Sequence, residues 1–339
     1  MTDVNTILSS NRLALARLLT QIENDTPAGR ATLNALFPHT GRAHLIGVTG
    51  APGTGKSSLV NQLARHYRKS DTPKRVAVIA VDPSSPFTGG AVLGDRIRMS
   101  DLRGDPGVFI RSMATRGSLG GLARATAGIV QAFDAAGYEI ILIETVGAGQ
   151  AEVDIARLAH TTLVVEAPGL GDDIQAIKAG ILEIADVLVI NKADRPGVEN
   201  TERALRGMLQ LAHPVQRIFR HHGRTERVSP DLTPPVVHNR DTPLWLPLVL
   251  RTVASDGQGI AELAQAIARH QEFLVKTGDL QRRERARLQN ELELRIQETL
   301  VNRWRVSITN GYYEDALEKL VRRESSPEEV VLNLLAKEA

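Results

Sequence analysis

The 339-residue chain balances 41 Lys and Arg against 39 Asp and Glu, a formal charge of +2 that is too small to argue for binding to nucleic acid or a membrane surface. With 42% hydrophobic and 24% charged residues it has the make-up of a globular protein, long enough for one large domain or two ordinary ones, which excludes large-scale disorder. The absence of cysteine removes disulfides, thiolate metal ligands and a cysteine nucleophile, and fits a reducing compartment.

The first segment, to about Pro38, has a polar start and helically spaced apolar residues, so it reads as neither a signal peptide nor a membrane span, and a soluble cytoplasmic protein is expected. Two short helices are predicted. Leu13, Leu15, Leu18, Leu19 and Ile22 give the first an apolar face, and Asp25-Thr26-Pro27 opens the second with a cap and a proline in its first turn. From His44 to about His270, short apolar runs alternate with helical stretches; the runs cover residues 44–49, 75–82, 139–145, 161–167, 186–192 and 247–252. Their apolar residues are continuous rather than alternating, as in strands buried on both faces of a parallel sheet, so the class is α/β and doubly wound.

Between Ala212 and Pro247 lie Pro214, Pro230, Pro234, Pro235, Pro243 and Pro247, interleaved with His and Arg, which predicts a long surface loop. After Gly278 the chain turns charged and helical, with Leu280, Leu288, Leu292, Ile296 and Leu300 in a narrow apolar stripe, followed by two shorter helical segments. A stripe of that kind packs on another helix.

Residues Gly50 to Ser57, GAPGTGKS, fit the phosphate-binding loop pattern between an apolar strand and an amphipathic helix carrying Leu59, Leu63, Ala64 and Tyr67. Gly50, Gly53 and Gly55, with Ala51, Pro52 and Thr54 between them, let backbone N–H groups curl around phosphates. Lys56 supplies a point charge, Ser57 offers a hydroxyl to Mg²⁺, and the helix that starts here, with Ser58, adds its positive end. Far along the chain, Asn191-Lys192-Ala193-Asp194 follows a strand on the edge where such sheets place ligands. A carboxylate at Asp194 can accept the ring N–H and the exocyclic amino group of guanine, a donor pair that adenine lacks, so GTP and GDP are the expected ligands. Taken alone, Asp194 could equally be a helix cap. The stretch 251–260 could cover the base through N–H groups near Val253, Ala254 and Ser255.

Asp82 and Glu144 end apolar runs, and Asp95 lies in LGDRIRM; one or two of these carboxylates beside Ser57 suffice for Mg²⁺, so not all three are direct ligands. Asp82 or Asp95 could instead cap a helix. Gly89-Gly90, and Gly147 with Gly149, permit movement and make natural switch loops. Gln150 is a candidate for orienting the attacking water, with an exposed loop amide as the alternative. Arg96, Arg98, Arg103, Arg111, Arg116 and Arg124 crowd the same region, where one could neutralise transition-state charge while the others are solvated or face a partner.

GAPGTGKSS, VDPSSPFTGGAVLGDRIRM, ILIETVGAGQAEVD and APGLGDDIQAIKAGILEIADVLVINKAD closely resemble the MeaB-like accessory GTPases of methylmalonyl-CoA mutase, also known as ArgK or LAO/AO transport ATPases. The resemblance covers nearly the whole chain. It implies a P-loop GTPase of the SIMIBI, metallochaperone-like class, with a helical N-terminal extension over 1–40, a GTPase domain over 41–277 and a C-terminal dimerisation extension over 278–339. It implies slow, partner-stimulated GTP hydrolysis that gates adenosylcobalamin loading and protects an acyl-CoA mutase, with Mg²⁺ as cofactor. The mutase, a cobalamin adenosyltransferase and a second copy of the chain are the implied partners. Lys56, Asp95, Glu144 and Gln150 are the implied catalytic group, Ser57, Asp82, Asp95 and Glu144 the metal group, and Gly169 to Gly180, with Lys178, resembles a mobile loop signalling to the mutase. One departure stands at Val253-Ala254, where many relatives have Ser-Ala. Two other classes are weighed against this reading: a nickel-insertion GTPase, disfavoured by the lack of cysteine and by nine histidines that cluster only at His221-His222, and a P-loop kinase, which needs a phosphate acceptor site.

Overall fold

In the computed structural model the described residues are 4–82, 100–102, 104–114, 119–145, 157–169, 184–212, 218–221, 224–227, 244–308 and 311–335. The strands are β1 (His44–Thr49), β2 (Val76–Asp82), β3 (Val108–Ala114), β4 (Ile140–Thr145), β5 (Thr161–Glu166), β6 (Val187–Ile190), β7 (Ile218–His221), β8 (Arg224–Arg227) and β9 (Leu248–Arg251). Seven of them form one sheet in the order β3-β2-β4-β1-β5-β6-β9, with every pairing parallel. The six predicted runs match six of these strands to within a residue or two. All six residues of β1 are buried, as their unbroken apolar character requires.

The helices are α1 (Val4–Leu8), α2 (Arg12–Glu23), α3 (Pro27–Leu36), α4 (Lys56–Lys69), α5 (Leu119–Ala135), α6 (Val198–Ala212), α7 (Ile260–Thr277), α8 (Asp279–Ser307), α9 (Tyr312–Val321) and α10 (Pro327–Leu335). One face of the sheet packs against α2, α3 and α5 through Leu15, Leu18, Leu19, Leu33, Leu36, Ile129 and Phe133. The other packs against α4 and α7 through Leu59, Val60, Leu63, Leu263, Ala266 and Ile267. A third apolar cluster joins Val198 and Leu205 of α6 to Leu188 and Ile190 of β6. Each fully buried leucine or isoleucine in these layers contributes roughly 1.5–3 kcal/mol.

The sheet contains one strand that the sequence pattern did not announce. β3, VFIRSMA, is an edge strand, and Ile110, Arg111 and Ser112 are only half-buried, so its polar residues hid the apolar run. The N-terminal segment holds three helices rather than two. Asn11 caps α2 through Leu13 N–H and Ala14 N–H, and Thr26 caps α3 through Gly29 N–H at 3.1 Å with Pro27 at its start. Leu13 is 62% exposed and does not belong to the buried face of α2, which Leu15, Leu18, Leu19 and Ile22 make without it. Within the proline-rich stretch, β7 and β8 pair antiparallel, so part of the predicted loop is a hairpin.

The chain divides into two compact units, Met1–Ala286 and Arg287–Ala339. In the second, Val330 and Leu334 are the buried hydrophobic residues among those described, and the Trp304 indole N–H donates to the Leu334 carbonyl at 3.5 Å while its ring meets Tyr313 edge-on. The predicted stripe of α8 faces solvent: Leu292 and Leu300 are each 59% exposed. Among the described residues, no helix is long and apolar enough to cross a membrane.

Candidate nucleotide site

The strand order reverses its direction of growth at β1, which lies between β4 and β5, so the carboxyl ends of β1, β4, β5 and β6 open onto one crevice. The loop from Gly50 to Gly55 leaves β1 there and runs into α4 at Lys56. Its backbone explains its glycines. Gly50 has φ of +138° and Gly55 φ of +90°, and a Cβ at Gly50 would overlap the Val165 carbonyl of β5, while one at Gly55 would overlap Asn191 Nδ2. Thr54, fully buried, donates its hydroxyl to the Ala51 carbonyl at 3.0 Å and braces the turn, whereas Pro52, Gly53 and Ser58 are exposed along its rim.

Lys56 is buried, and its ammonium donates to the Gly50 carbonyl at 2.8 Å and the Ala51 carbonyl at 3.0 Å. The charge is thereby held inside the turn whose N–H groups and helix end attract an anion. Ser57 Oγ donates to Glu144 Oε1 at 2.6 Å, both residues being buried. Register places Glu144 beside Val48 of β1 and Ala80 of β2, so two neighbouring strands deliver the carboxylate to the start of α4. A hydroxyl and a carboxylate in contact are the hard oxygen donors that suit Mg²⁺. Asp82 ends β2, two residues beyond the one paired with Glu144; its side chain, Asp95 and Gln150 lie outside the described residues, as do Gly89, Gly90, Gly147, Gly149, Arg96, Arg98, Arg103, Arg116 and Lys178. Two arginines of that predicted group are committed elsewhere: Arg111 pairs with Glu23 at 2.6 Å and Arg124 with Asp25 at 2.9 Å, both toward the N-terminal helices.

The loop after β6 closes the other side of the crevice, and Asn191 is its hub. The buried side chain donates from Nδ2 to the Thr54 carbonyl at 2.8 Å, and its Oδ1 accepts from Ala254 N–H at 3.0 Å and from the Thr252 hydroxyl at 3.2 Å. One amide thus ties the phosphate loop to the loop after β9. Lys192 adopts a left-handed φ of +58°, a strained setting for a side chain of its size, and its ammonium donates to the Gly53 carbonyl. Asp194 is exposed and has no hydrogen bond or ion pair among the described residues. It lies four residues before α6 begins at Val198, which removes the helix-cap alternative.

The covering stretch differs in detail from expectation. Val253 N–H donates to the Gln258 carbonyl at 3.0 Å and Ala254 N–H to Asn191, so both are engaged within the protein. Ser255, exposed, is the member of the trio whose N–H has no partner among the described residues. Asn191, expected only as a neighbour of Asp194 at the ligand edge, also braces the two loops through its side chain. The available signal was a buried-strand end followed by an amide rather than another apolar residue.

A family model described as methylmalonyl Co-A mutase-associated GTPase MeaB matches residues 15–309. A protein of Pyrococcus abyssi named as a GTPase is 43% identical over 94% of this chain and 90% of its own length. The GTPase ArgK of Escherichia coli is 34% identical over 82% of this chain and 78% of its own. A crystal structure of an LAO/AO transport system kinase, 27% identical, superposes with a TM-score of 0.66 over 98% of this chain and 95% of that one. The fold is therefore that of P-loop GTPases with a parallel sheet, and the chain belongs to the MeaB family of GTPases, whose reaction is the hydrolysis of GTP.

Proposed function

We infer that the chain is a GTP-driven switch that gates the loading and protection of an adenosylcobalamin-dependent acyl-CoA mutase. The observation that carries this reading is the Asn191 brace. A phosphate loop and a base loop fastened to each other through one buried amide respond as a unit to the nucleotide, while the carboxylate of Asp194 stays open to select guanine. The family match, whose description names association with methylmalonyl-CoA mutase, supports the choice of client class.

In this reading the N–H groups of residues 50–58 and the Lys56 ammonium hold the phosphates, and Asp194 takes the guanine edge with Asn191 and Lys192 fixing its loop. Ser255 covers the base. Ser57 and Glu144, with Asp82 or Asp95, are the residues that would hold Mg²⁺, which when bound neutralises charge on the β- and γ-phosphates. Gln150 orients the attacking water. The division into 1–40, 41–277 and 278–339 belongs to the same reading, with the last part joining two copies: Leu292, Ile296 and Leu300 of α8, each about half exposed, are covered best by an identical stripe. Turnover of GTP by the full chain, measured alone and with each purified candidate mutase or its cobalamin-binding subunit, tests the assignment. At least tenfold stimulation by one mutase is expected; equal turnover with all of them and with none sinks the client assignment while leaving the GTPase intact.

A further inference from the structure

At the edge of the sheet opposite the phosphate loop, the starts of β1, β5 and β6 meet the first turns of α8 in a buried polar network that takes no part in nucleotide chemistry. His44 Nε2 and His270 Nδ1 both contact the Thr161 hydroxyl at 2.9 Å. His270 Nε2 stands 3.2 Å from Asp186 Oδ1, and Asp186 also accepts Thr162 N–H at 2.8 Å and both arms of Arg283 at 2.8 and 3.0 Å. Burial alone would raise the Asp186 pKa, but the bonds from His270 and Arg283 outweigh it and hold the carboxylate below its usual range. Burial, reinforced by His160, pushes His44 down to about 3, so that ring is neutral in any ordinary medium.

His160 is set differently. Its backbone N–H donates to the Leu45 carbonyl at 2.8 Å, and its ring Nδ1 accepts from Leu45 N–H at 3.2 Å, so the ring imitates a further rung of the β1–β5 ladder. A neutral imidazole with an accepting Nδ1 carries its one proton on Nε2, and Nε2 meets Glu284 Oε1. A second proton would have to sit on Nδ1, against the Leu45 N–H. The ring can accommodate it only by turning, which gives up Leu45 and Glu284 together. Arg283, whose guanidinium donates to the His160 carbonyl at 2.9 Å, adds a like charge beside the imidazolium.

We propose that His160 is a proton-operated latch: neutral, it holds the first turns of α8, from Asp279 to Ala286, on the starts of β1 and β5; protonated, it releases them. The charged and titratable groups facing it are His44 of β1, Asp186 before β6, His270 of α7, and Asp279, Arg283 and Glu284 of α8. His44 stays neutral and Asp186 stays ionised across the working range; His270 sets both ring nitrogens against oxygens, whereas His160 is the ring whose second proton meets an N–H donor. The latch is independent of the mutase assignment.

Hydrogen–deuterium exchange of the full chain, corrected for the intrinsic effect of pH, tests it on the segment 279–286. Protection in the parent should fall at least tenfold between pH 7.5 and 5.5, and stay level in His160→Gln. Glu284→Gln, which keeps an acceptor for Nε2–H but removes the charge that would hold an imidazolium in place, should make the fall at least as deep while leaving GTP turnover at pH 7.5 unchanged. Should His160→Gln fail to fold, nitrogen chemical shifts of the parent's imidazoles read the tautomer directly, with Nε2–H expected for His160 at pH 8. A parent whose protection is flat or rises on acidification, a fall that persists in His160→Gln, or an Nδ1–H tautomer overturns the proposal.

Discussion

Replacing Asn191 by alanine removes four hydrogen bonds at once, the longest to the Gly55 carbonyl at 3.5 Å, and strands two buried partners: the Thr54 carbonyl and the Ala254 N–H. The Thr252 hydroxyl can turn elsewhere. An unsatisfied buried polar group costs roughly 1–3 kcal/mol, so the two together cost about 2–6 kcal/mol, and part is recovered if the loops relax toward solvent. A working value of about 3 kcal/mol corresponds to a melting point lowered by roughly 6–12 °C for a unit of this size. The same loops must come together to bind nucleotide, so GDP affinity should fall at least tenfold. Differential scanning fluorimetry without ligand and calorimetric titration with GDP measure the two effects on one preparation. Asn191→Asp is the informative companion, since it keeps an acceptor for Ala254 but sets a carboxylate against the Thr54 carbonyl; it should melt low as well. An alanine variant that melts within about 2 °C of the parent and binds GDP equally well would refute the idea that this amide braces the site.

Three further outcomes follow from the geometry. Gly50→Ala or Gly55→Ala should abolish nucleotide binding in calorimetry because each new Cβ overlaps a neighbouring group, whereas Gly53→Ala, with φ of +82° but nothing within 4 Å, should cost only about 1–2 kcal/mol of backbone strain and still bind. Asp194→Asn should leave the melting point of the free protein unchanged, since the carboxylate is exposed and unpaired among the described residues, but weaken GTP by roughly 2–3 kcal/mol, about 30–150-fold, through two charge-assisted bonds; equal affinity would move guanine selection elsewhere. His44, held near 3 in the folded state, is protonated from about pH 6.5 downward when unfolded, so the unfolded chain takes up the proton first and stability falls by up to about 1.4 kcal/mol per pH unit between those values. Urea unfolding at pH 7 and pH 5 should therefore show a larger loss in the parent than in His44→Asn, and identical losses would remove His44 from the acid response.

The sequence by itself determined the sheet's class and the chemistry of its open edge. Strands buried on both faces must be continuously apolar, and a phosphate turn must carry glycine wherever a Cβ has no room, so β1, β4, β5, β6 and the loop from Gly50 to Ser57 were legible from local pattern alone. The expectation that Asp194 selects guanine rests on a ligand's donor pair and not on the fold around it, and the Asp194→Asn titration is its test. What only the tertiary structure decided are the pairings between distant segments. The edge strand β3 mixes polar with apolar residues, since one side of it has no neighbouring strand among the described residues, and periodicity does not recognise it. Asn191, Thr252 and Thr54 lie up to 198 positions apart and become one brace only when β6 and β9 end beside the phosphate loop. The same holds for His160 and Glu284, 124 residues apart, whose contact exists because α8 begins at the amino edge of the sheet. Local spacing fixes which elements form, but a buried polar contact depends on which strand ends the topology makes neighbours, and no short stretch of chain carries that information.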